Sequence, residues 1–316
     1  MMVGERSLVL IGGLRPADRD RVRSFALALN APVYAEPLSG LREDAALTHL
    51  LIQNERTLGR AAFDRVIRIG NVPTLRYWRD LDEKLRDLPL VSYSRLPFSG
   101  LSRGELHDFD ALPLQVSQAE RDERLFSDDG KFAKRFSSIL DEESESELAI
   151  LRRFASSIEH GARVYLGNSL PIREWDMVAP RDDSGFTIEA NRGANGIDGQ
   201  LSTFFGQCDP ARMNVAIVGD LTAIYDLNAP WIVPQLEPGT RFQIAIVNNG
   251  GGRIFSRVAS LKPLPVAYRK RVIENAHEFR FDHWAAMWGI EDRVIELRPD
   301  EAASQRVWQA YDEMWK

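Results

Sequence analysis

Cysteine and long apolar runs are scarce in this chain. Cys208 is the only cysteine among 316 residues, which excludes a disulfide bond within the chain. It has no adjacent base, so an inert thiol is a better interpretation than a nucleophile. No apolar run approaches the roughly 20 residues that a membrane-spanning helix needs, and residues 1–5 lack a secretory hydrophobic segment. These absences predict a cytoplasmic protein without an integral membrane segment.

A large excess of either charge is also missing. The chain has 40 Lys and Arg residues and 46 Asp and Glu residues, which gives a formal net charge of −6. This balance gives no electrostatic reason to predict binding to nucleic acid or to an acidic membrane surface. The five histidines show no metal-ligand spacing beside cysteine or aspartate pairs. Individual arginines can still bind a small anionic metabolite.

Short apolar runs alternate with helical patterns along the chain, which predicts an α/β fold with two doubly wound domains and mainly parallel sheets. We place a central, Rossmann-like domain at residues 1–117 and a second domain at residues 148–316. The first predicted strand ends at Gly12-Gly13, but the G-x-G-x-x-G dinucleotide motif is absent. We therefore interpret the opening strand and helix as scaffold.

The segment 118–147 differs from its surroundings because charged residues follow one another closely in it. Its sparse apolar residues predict a solvated linker with helical pieces. Ser144-x-x-Glu147 has the form of a capping box, and the helical stripe that follows ends at Gly161. Glu189, at the end of a predicted strand, is interpreted as structural.

Two polar turns in the second domain carry the strongest chemical signal. Gly219-Asp220-Leu221-Thr222 and Asn248-Asn249-Gly250-Gly251-Gly252 each follow an apolar run that is typical of a buried parallel strand. A right-handed crossover brings both strand ends to one sheet edge. A carboxylate, an amide oxygen and a Gly-rich turn at that edge suit Mg²⁺ with phosphate oxygens as remaining ligands, and a helix after Thr222 would favour the same anion. The alternative is that Asp220 is a helix cap and that the glycines only form turns.

Other polar loops follow neighbouring strands of the same domain. Gly167-Asn168-Ser169 offers small groups and backbone donors, and Arg173 lies one helical turn beyond it. Arg192 lies in a turn flanked by glycine. Each arginine alone is more often a surface ion-pair partner than a ligand contact, but their joint position favours binding of carboxylates.

Five segments resemble one family in content and order. The two polar turns are similar to the thiamine diphosphate signature, although Leu221 stands where many relatives have glycine. The five segments are residues 167–169, 191–199, 219–222, 225–228 and 251–256. Their order resembles that of the 2-succinyl-5-enolpyruvyl-6-hydroxy-3-cyclohexene-1-carboxylate synthase (MenD) family of menaquinone biosynthesis. Asp-Leu-Asn in the fourth segment and Ile-Phe-Ser in the fifth distinguish this family from acetolactate synthases and pyruvate decarboxylases.

The resemblance implies roles for individual residues, with thiamine diphosphate and Mg²⁺ (or Mn²⁺) as cofactors. The implied metal ligands are Asp220, Asn249 and the carbonyl of Gly251. The implied cofactor-binding residues are Asn168, Ile197, Gly219, Asp220, Leu221, Thr222, Asn249, Gly251 and Phe255. The implied substrate-binding residues are Arg76, Ser169, Arg173, Arg192 and Ile254. No catalytic residue is assigned.

The family's reaction implies decarboxylation of 2-oxoglutarate and addition of the resulting carbanion to isochorismate, two anionic small molecules. The resemblance makes residues 148–316 the diphosphate-binding domain. It also implies that residues 1–316 do not include the family's domain that binds the aminopyrimidine of the cofactor and supplies a glutamate to it. We therefore expect an oligomer completed by a pyrimidine-binding domain on another chain. The alternatives are another thiamine diphosphate carboligase, or a non-catalytic cofactor-binding or scaffold subunit.

Overall fold

A computed structural model describes residues 5–193 and 196–316 and contains two compact α/β units. The first unit comprises the described residues up to Ile139 together with Arg181–Asp183 and Tyr311–Lys316. The second unit comprises Leu140–Pro180 and Ser184–Ala310. Each unit contains one five-stranded parallel sheet with interleaved helices, so the predicted fold class is confirmed. The predicted boundaries at residues 117 and 147 stay predictions.

The sheet of the first unit has the strand order β2-β1-β3-β4-β5. Every residue of β1 is buried, as expected for a central strand covered on both faces. Helix α1 contributes four buried apolar side chains and ends where Asn30 adopts the left-handed conformation. The strands are β1 Ser7–Ile11, β2 Val33–Ala35, β3 Arg65–Ile69, β4 Leu90–Ser94 and β5 Glu105–Asp108, and the helices of this part of the chain are α1 Arg19–Leu29, α2 Glu55–Leu58 and α3 Arg76–Glu83.

The charged segment after residue 117 contains a long helix, α4, at Glu123–Glu142. Its sparse apolar positions include the buried side chains of Leu125, Phe136 and Leu140. Asp129 is also buried, and its carboxylate accepts hydrogen bonds from two backbone N–H groups and from a threonine hydroxyl. A segment that looks solvated by composition thus forms one amphipathic helix.

The sheet of the second unit has the strand order β10-β9-β8-β6-β7. The order therefore reverses between β6 and β8, and such a reversal opens a crevice at the carboxyl ends of the strands. The strands are β6 Arg163–Leu166, β7 Thr187–Glu189, β8 Met213–Gly219, β9 Arg241–Val247 and β10 Val294–Leu297. The remaining helices are α5 Glu147–Ser156, α6 Leu170–Val178, α7 Gln200–Gly206, α8 Asp220–Tyr225, α9 Val266–Tyr268, α10 Phe281–Trp288 and α11 Glu301–Glu313.

Strand register places the two polar turns side by side. In the pairing of β8 with β9, Gly219 is opposite Val247, so the residues that follow these two strands leave the sheet together. On the other side of β8, the N–H of Gly167 donates to the carbonyl of Ile217 at 2.8 Å. The loops after β6, β8 and β9 consequently share one edge of the sheet.

The structure corrects the predicted start of two helices in the second unit and confirms that prolines interrupt the helical segment after residue 228. The helix expected after Thr222 begins at Asp220 and is only six residues long. A separate 3₁₀ helix, Ala229–Gln235, follows it, because prolines at positions 230 and 234 prevent a continuous α-helix. The cap of α5 is Ser146, which accepts a hydrogen bond from the N–H of Ala149; Ser144 is not the cap. Glu147 is therefore the first residue of α5, where its side chain is buried.

Membrane-spanning helices were not expected from the sequence. In the part of the chain that the structure describes, no helix combines the length and the apolar character needed to cross a membrane.

Candidate active site

A cavity of about 760 Å³ opens at the carboxyl edge of the second sheet, and its lining lies entirely within the second unit. The structure brings together all but one of the residues that the sequence predicts for the site. Those lining the cavity are Asn168, Ser169, Arg173, Arg192, Ile197, Gly219, Asp220, Leu221, Thr222, Asn249, Gly251, Ile254 and Phe255. Ala194 and Asn195, within the segment 191–199, lie outside the described residues.

Asp220 connects the ends of β8 and β9. Its Oδ2 accepts hydrogen bonds from the N–H groups of Gly250 at 2.8 Å and Gly251 at 2.9 Å, and its Oδ1 accepts one from Leu221 at 2.6 Å. Only 2% of the residue is exposed. Burial raises the pKa of Asp220, and the hydrogen bond from Gly251 is the largest opposing effect. The carboxylate is thus held by backbone donors while one side of it faces the cavity.

His277 lies beside this carboxylate, a contact that the histidine spacing in the sequence does not reveal. Its Nε2 lies 3.3 Å from Oδ2 of Asp220. Its Nδ1 accepts a hydrogen bond from the N–H of Phe279 at 3.0 Å. Nε2 is buried and makes no hydrogen bond among the described residues, so its contact with Asp220 is one of proximity.

Asn249 has one side-chain oxygen for which the protein provides no donor. Its Nδ2 donates to Oε1 of Glu147 at 2.8 Å. Its Oδ1 is buried and has no hydrogen-bond partner among the described residues. Buried polar atoms are almost always paired. An unpaired amide oxygen in the same cavity as the Asp220 carboxylate is therefore suited to bind a cation.

The backbone of Gly251 supplies a third oxygen in a position that only glycine tolerates. Its φ is +133°, and a Cβ atom added there would lie 2.5 Å from the carbonyl oxygen of Glu274. Glu274 is itself buried and pairs with Arg269 at 2.9 Å and Arg253 at 3.4 Å. One carboxylate, one amide and one carbonyl fit Mg²⁺ or Mn²⁺ that takes its other ligands from a diphosphate. Among the described residues no cluster of three His, Cys, Asp or Glu side chains offers a metal site.

Asn168 joins two of the loops that surround the cavity. Its Oδ1 accepts a hydrogen bond from Nη1 of Arg192 at 2.6 Å, and its Nδ2 donates to the carbonyl of Gly196 at 2.8 Å. The following residue, Ser169, has a φ of +74°, which is strained for a residue with a side chain. Arg173 donates to the carbonyl of Ser169. Arg173 and Arg192, two of the three predicted arginines, therefore lie at the cavity, and each donates to a neutral oxygen.

The opposite lining is apolar. Ile197, Ile254 and Phe255 line the cavity, and 40% of Phe255 is exposed although its side chain is large and apolar. Phe255 belongs to a 3₁₀ helix, Arg253–Arg257, that directly follows the glycine turn. The cavity thus combines a polar floor with apolar groups, as ligand sites commonly do.

Comparison with known proteins identifies the family. No family model matches the chain. A protein of Bdellovibrio bacteriovorus is 36% identical over 98% of this chain and 62% of its own length, and one of Akkermansia muciniphila is 38% identical over 93% and 55%. One of Bacillus velezensis is 30% identical over 90% and 52%. Each is named 2-succinyl-5-enolpyruvyl-6-hydroxy-3-cyclohexene-1-carboxylate synthase. The chain belongs to this family. It spans between 52% and 62% of the length of these relatives.

The remaining arginine that the MenD resemblance assigned to substrate lies in the first unit. Arg76 is the first residue of α3, and its backbone N–H donates to Glu55. Its guanidinium pairs with Asp80 at 2.9 Å and also with Glu83, while 48% of the side chain is exposed. Arg76 is not among the residues that line the cavity. Its role in binding substrate stays a prediction.

Sequence reasoning missed a buried pair of acidic residues beside the cavity of this MenD-family chain. Glu147 and Glu174 are both buried, and their carboxyl groups are in contact. If both were ionised, neither oxygen of Glu174 would have a donor, whereas a proton on Glu174 lets it donate to Glu147. The helical spacing in the sequence could have indicated that Glu147 is buried. Glu147 precedes Leu151 and Phe154 by four and seven residues, so it lies on the same buried face of α5.

The protonation of Glu174 should appear in the pH dependence of stability. Burial, and next the negative charge of Glu147, raise the pKa of Glu174 well above its ordinary value of 4.5. The folded chain then keeps a proton that the unfolded chain releases above about pH 4.5, so the free energy of unfolding should fall as pH rises towards the folded pKa. Glu174→Gln cannot titrate and should flatten this fall.

Urea unfolding followed by tryptophan fluorescence at about pH 5 and about pH 8 measures the effect. Glu145→Gln, which changes an exposed glutamate that pairs with Arg153, is the matched control and should keep the wild-type profile. Equal pH profiles for Glu174→Gln and wild type would contradict a proton on Glu174.

Proposed function

We propose that the chain provides the diphosphate-binding and central domains of a thiamine diphosphate-dependent enzyme. In this proposal the enzyme decarboxylates 2-oxoglutarate and joins the product to isochorismate in menaquinone biosynthesis. One observation carries the proposal: the Asp220 carboxylate, the unpaired Oδ1 of Asn249 and two arginines converge on one cavity. The names of the relatives, which belong to the same family, support the same reaction. We place the enzyme in the cytoplasm.

The residues at the ends of β8 and β9 are suited to a metal-bound diphosphate. Asp220, Asn249 and the carbonyl of Gly251 would hold Mg²⁺ or Mn²⁺, which prefer oxygen ligands. Gly219, Leu221 and Thr222 would contact the diphosphate. Bound thiamine diphosphate supplies the electron sink for loss of carbon dioxide from a 2-oxo acid. The chain's task is to orient the cofactor and to keep water away from it.

The arginines would recognise the substrate carboxylates. Arg192 lines the cavity, and its Nη1 donates to the neutral side-chain oxygen of Asn168. Arg173 likewise donates to a carbonyl, that of Ser169. A guanidinium can bind a carboxylate through two parallel hydrogen bonds, which fixes the orientation of the substrate. Ile197, Ile254 and Phe255 would exclude water beside the reacting carbon.

The proposal also requires a group that moves protons at the pyrimidine ring of the cofactor. Such a group must lie within hydrogen-bond distance of the ring. We propose that a pyrimidine-binding domain, on another chain of an oligomer, supplies it. The single experiment that tests the function is release of labelled carbon dioxide from 2-oxoglutarate with Mg²⁺, thiamine diphosphate and isochorismate.

We expect no turnover by the 316-residue polypeptide alone and turnover when the pyrimidine-binding domain is added. The expected product is the adduct of the decarboxylated acid with isochorismate, measured by mass spectrometry. Turnover by the polypeptide alone would contradict the assignment of the proton-moving group to another domain. Cofactor binding without any turnover in the assembled enzyme would favour a non-catalytic subunit.

Replacing Asp220 tests the metal site. Asp220→Ala removes the only carboxylate among the proposed ligands, so metal-dependent binding of thiamine diphosphate to the assembled enzyme should be lost. Calorimetric titration with the cofactor, with and without Mg²⁺, measures this. Asp282→Ala is the control, because Asp282 is also a first-turn helix aspartate but is exposed and pairs with Arg280. Unchanged cofactor affinity for Asp220→Ala would rule out the assignment.

Replacing Arg192 tests substrate recognition. A charge-assisted bidentate pair contributes about 1.5–3 kcal/mol. Arg192→Ala should therefore lower kcat/KM roughly tenfold to a few hundredfold, and Arg192→Lys should recover only part of this loss. Arg241→Ala removes an exposed arginine paired with Glu159 and should leave the kinetics unchanged. Steady-state constants for both substrates decide the question, and unaltered values for Arg192→Ala would make it only an ion-pair residue.

A further inference from the structure

Among the described residues, Glu147 contacts the proposed metal ligands through one side-chain hydrogen bond, to Asn249. Its Oε1 accepts from Nδ2 of Asn249 at 2.8 Å. The two residues are far apart in sequence, so only the fold of the second unit brings them together. Glu147 lines the cavity but is 6% exposed, which makes it a poor candidate for direct contact with a substrate.

An amide can present either its oxygen or its nitrogen to a neighbouring cation, and only the oxygen is a ligand. The two orientations have nearly the same shape, so packing alone does not choose between them. A carboxylate oxygen accepts hydrogen bonds, and Oε1 of Glu147 accepts one from the Asn249 amide. Placed against one end of the Asn249 amide, it selects the orientation in which Nδ2 faces Glu147 and Oδ1 faces away. The unpaired, buried state of Oδ1 agrees with that orientation.

The surroundings of Glu147 keep its carboxylate in place as an acceptor. Its backbone N–H donates to Oγ of Ser304 at 3.0 Å, and that hydroxyl donates to the carbonyl of Asp300 at 2.8 Å. Ser146 caps the same helix turn through the N–H of Ala149. On the side-chain end, the buried carboxyl group of Glu174 lies against that of Glu147. Both the start of α5 and the carboxylate are therefore fixed.

We propose that Glu147 is a positioning residue that orients the amide of Asn249 so that its oxygen faces the divalent cation. The proposal rests on the proposed function, because it takes Asn249 as a ligand of the cofactor's metal ion. Partners that orient metal ligands typically change metal affinity 10- to 100-fold when they are removed. The consequence is specific: Glu147 matters for binding of the metal and not for binding of the anion alone.

The test uses the full chain and two probes, inorganic pyrophosphate alone and the preformed Mn²⁺–pyrophosphate complex. Calorimetry gives the affinity for each probe, and their ratio is the metal dependence of binding. Glu147→Leu removes the acceptor while approximately preserving volume. It should reduce the metal dependence about 10- to 100-fold and leave the affinity for pyrophosphate alone unchanged. A structural role would weaken both affinities together.

A double-mutant cycle isolates the amide. Asn249→Asp replaces the amide by a carboxylate whose two oxygens are equivalent, so there is no orientation left to choose. In that background Glu147→Leu should not reduce the metal dependence, and it should raise it if the two carboxylates repel each other. An equal loss in both backgrounds would overturn the proposal, as would an unchanged metal dependence for Glu147→Leu in the Asn249 protein.

Folding and the proposed function are controlled separately. If Glu147→Leu does not give the wild-type circular dichroism spectrum, Glu147→Gln takes its place, because its amide can also donate and no longer selects one orientation of Asn249. The same cycle then applies, with a loss expected only when Asn249 is intact. Absence of metal-dependent binding in the wild-type chain would count against the cofactor site itself. Normal wild-type binding with normal binding by both Glu147 variants would overturn only the role of Glu147.

Discussion

The site depends on one buried carboxylate that bonds to the backbone of a neighbouring loop. Asp220 follows β8, where Gly219 pairs with Val247, and its Oδ2 accepts hydrogen bonds from the N–H groups of both Gly250 and Gly251. Removing a carboxylate from water is costly, and the backbone donors offset much of that cost. Strand pairing alone would bring the two loops near each other. The Asp220 hydrogen bonds fix their relative geometry, and with it the positions of Asn249 and the carbonyl of Gly251.

On the other side of the cavity, a neutral side chain likewise connects two loops through hydrogen bonds. Asn168 fixes the loop after β6 against the loop after β7 by accepting from Arg192 and donating to the carbonyl of Gly196. An amide oxygen can orient a guanidinium and carries no charge of its own. A carboxylate in that position would compete with an anionic substrate for the arginine. The arrangement therefore suits the proposed binding of anionic substrates by a chain of net negative charge.

Much of the fold and the main part of the site could be predicted from local patterns. Buried parallel strands are continuous apolar runs, and the crossover rule brings their ends together, which is why Asp220 and Asn249 could be paired in advance. The start of the helix at Asp220 could not be placed as well, since it depends on the tertiary hydrogen bonds of the carboxylate. Glu147 and His277 were missed because each meets the site through tertiary contacts to residues distant in sequence. The amphipathic helix α4 was obscured by its many charges.

The close approach of Gly251 to Glu274 couples the candidate metal site to a segment beyond it. Gly252, the next residue after Gly251, donates its N–H to the carbonyl of Glu274 at 2.6 Å, and the side chain of Glu274 pairs with Arg253 and Arg269. Binding of the cation and ordering of the segment around Glu274 are then thermodynamically linked, so the coupling free energy is the same in both directions. Loss of the ion pairs between Glu274 and the two arginines would thus weaken cofactor binding, although none of these three side chains is a proposed ligand.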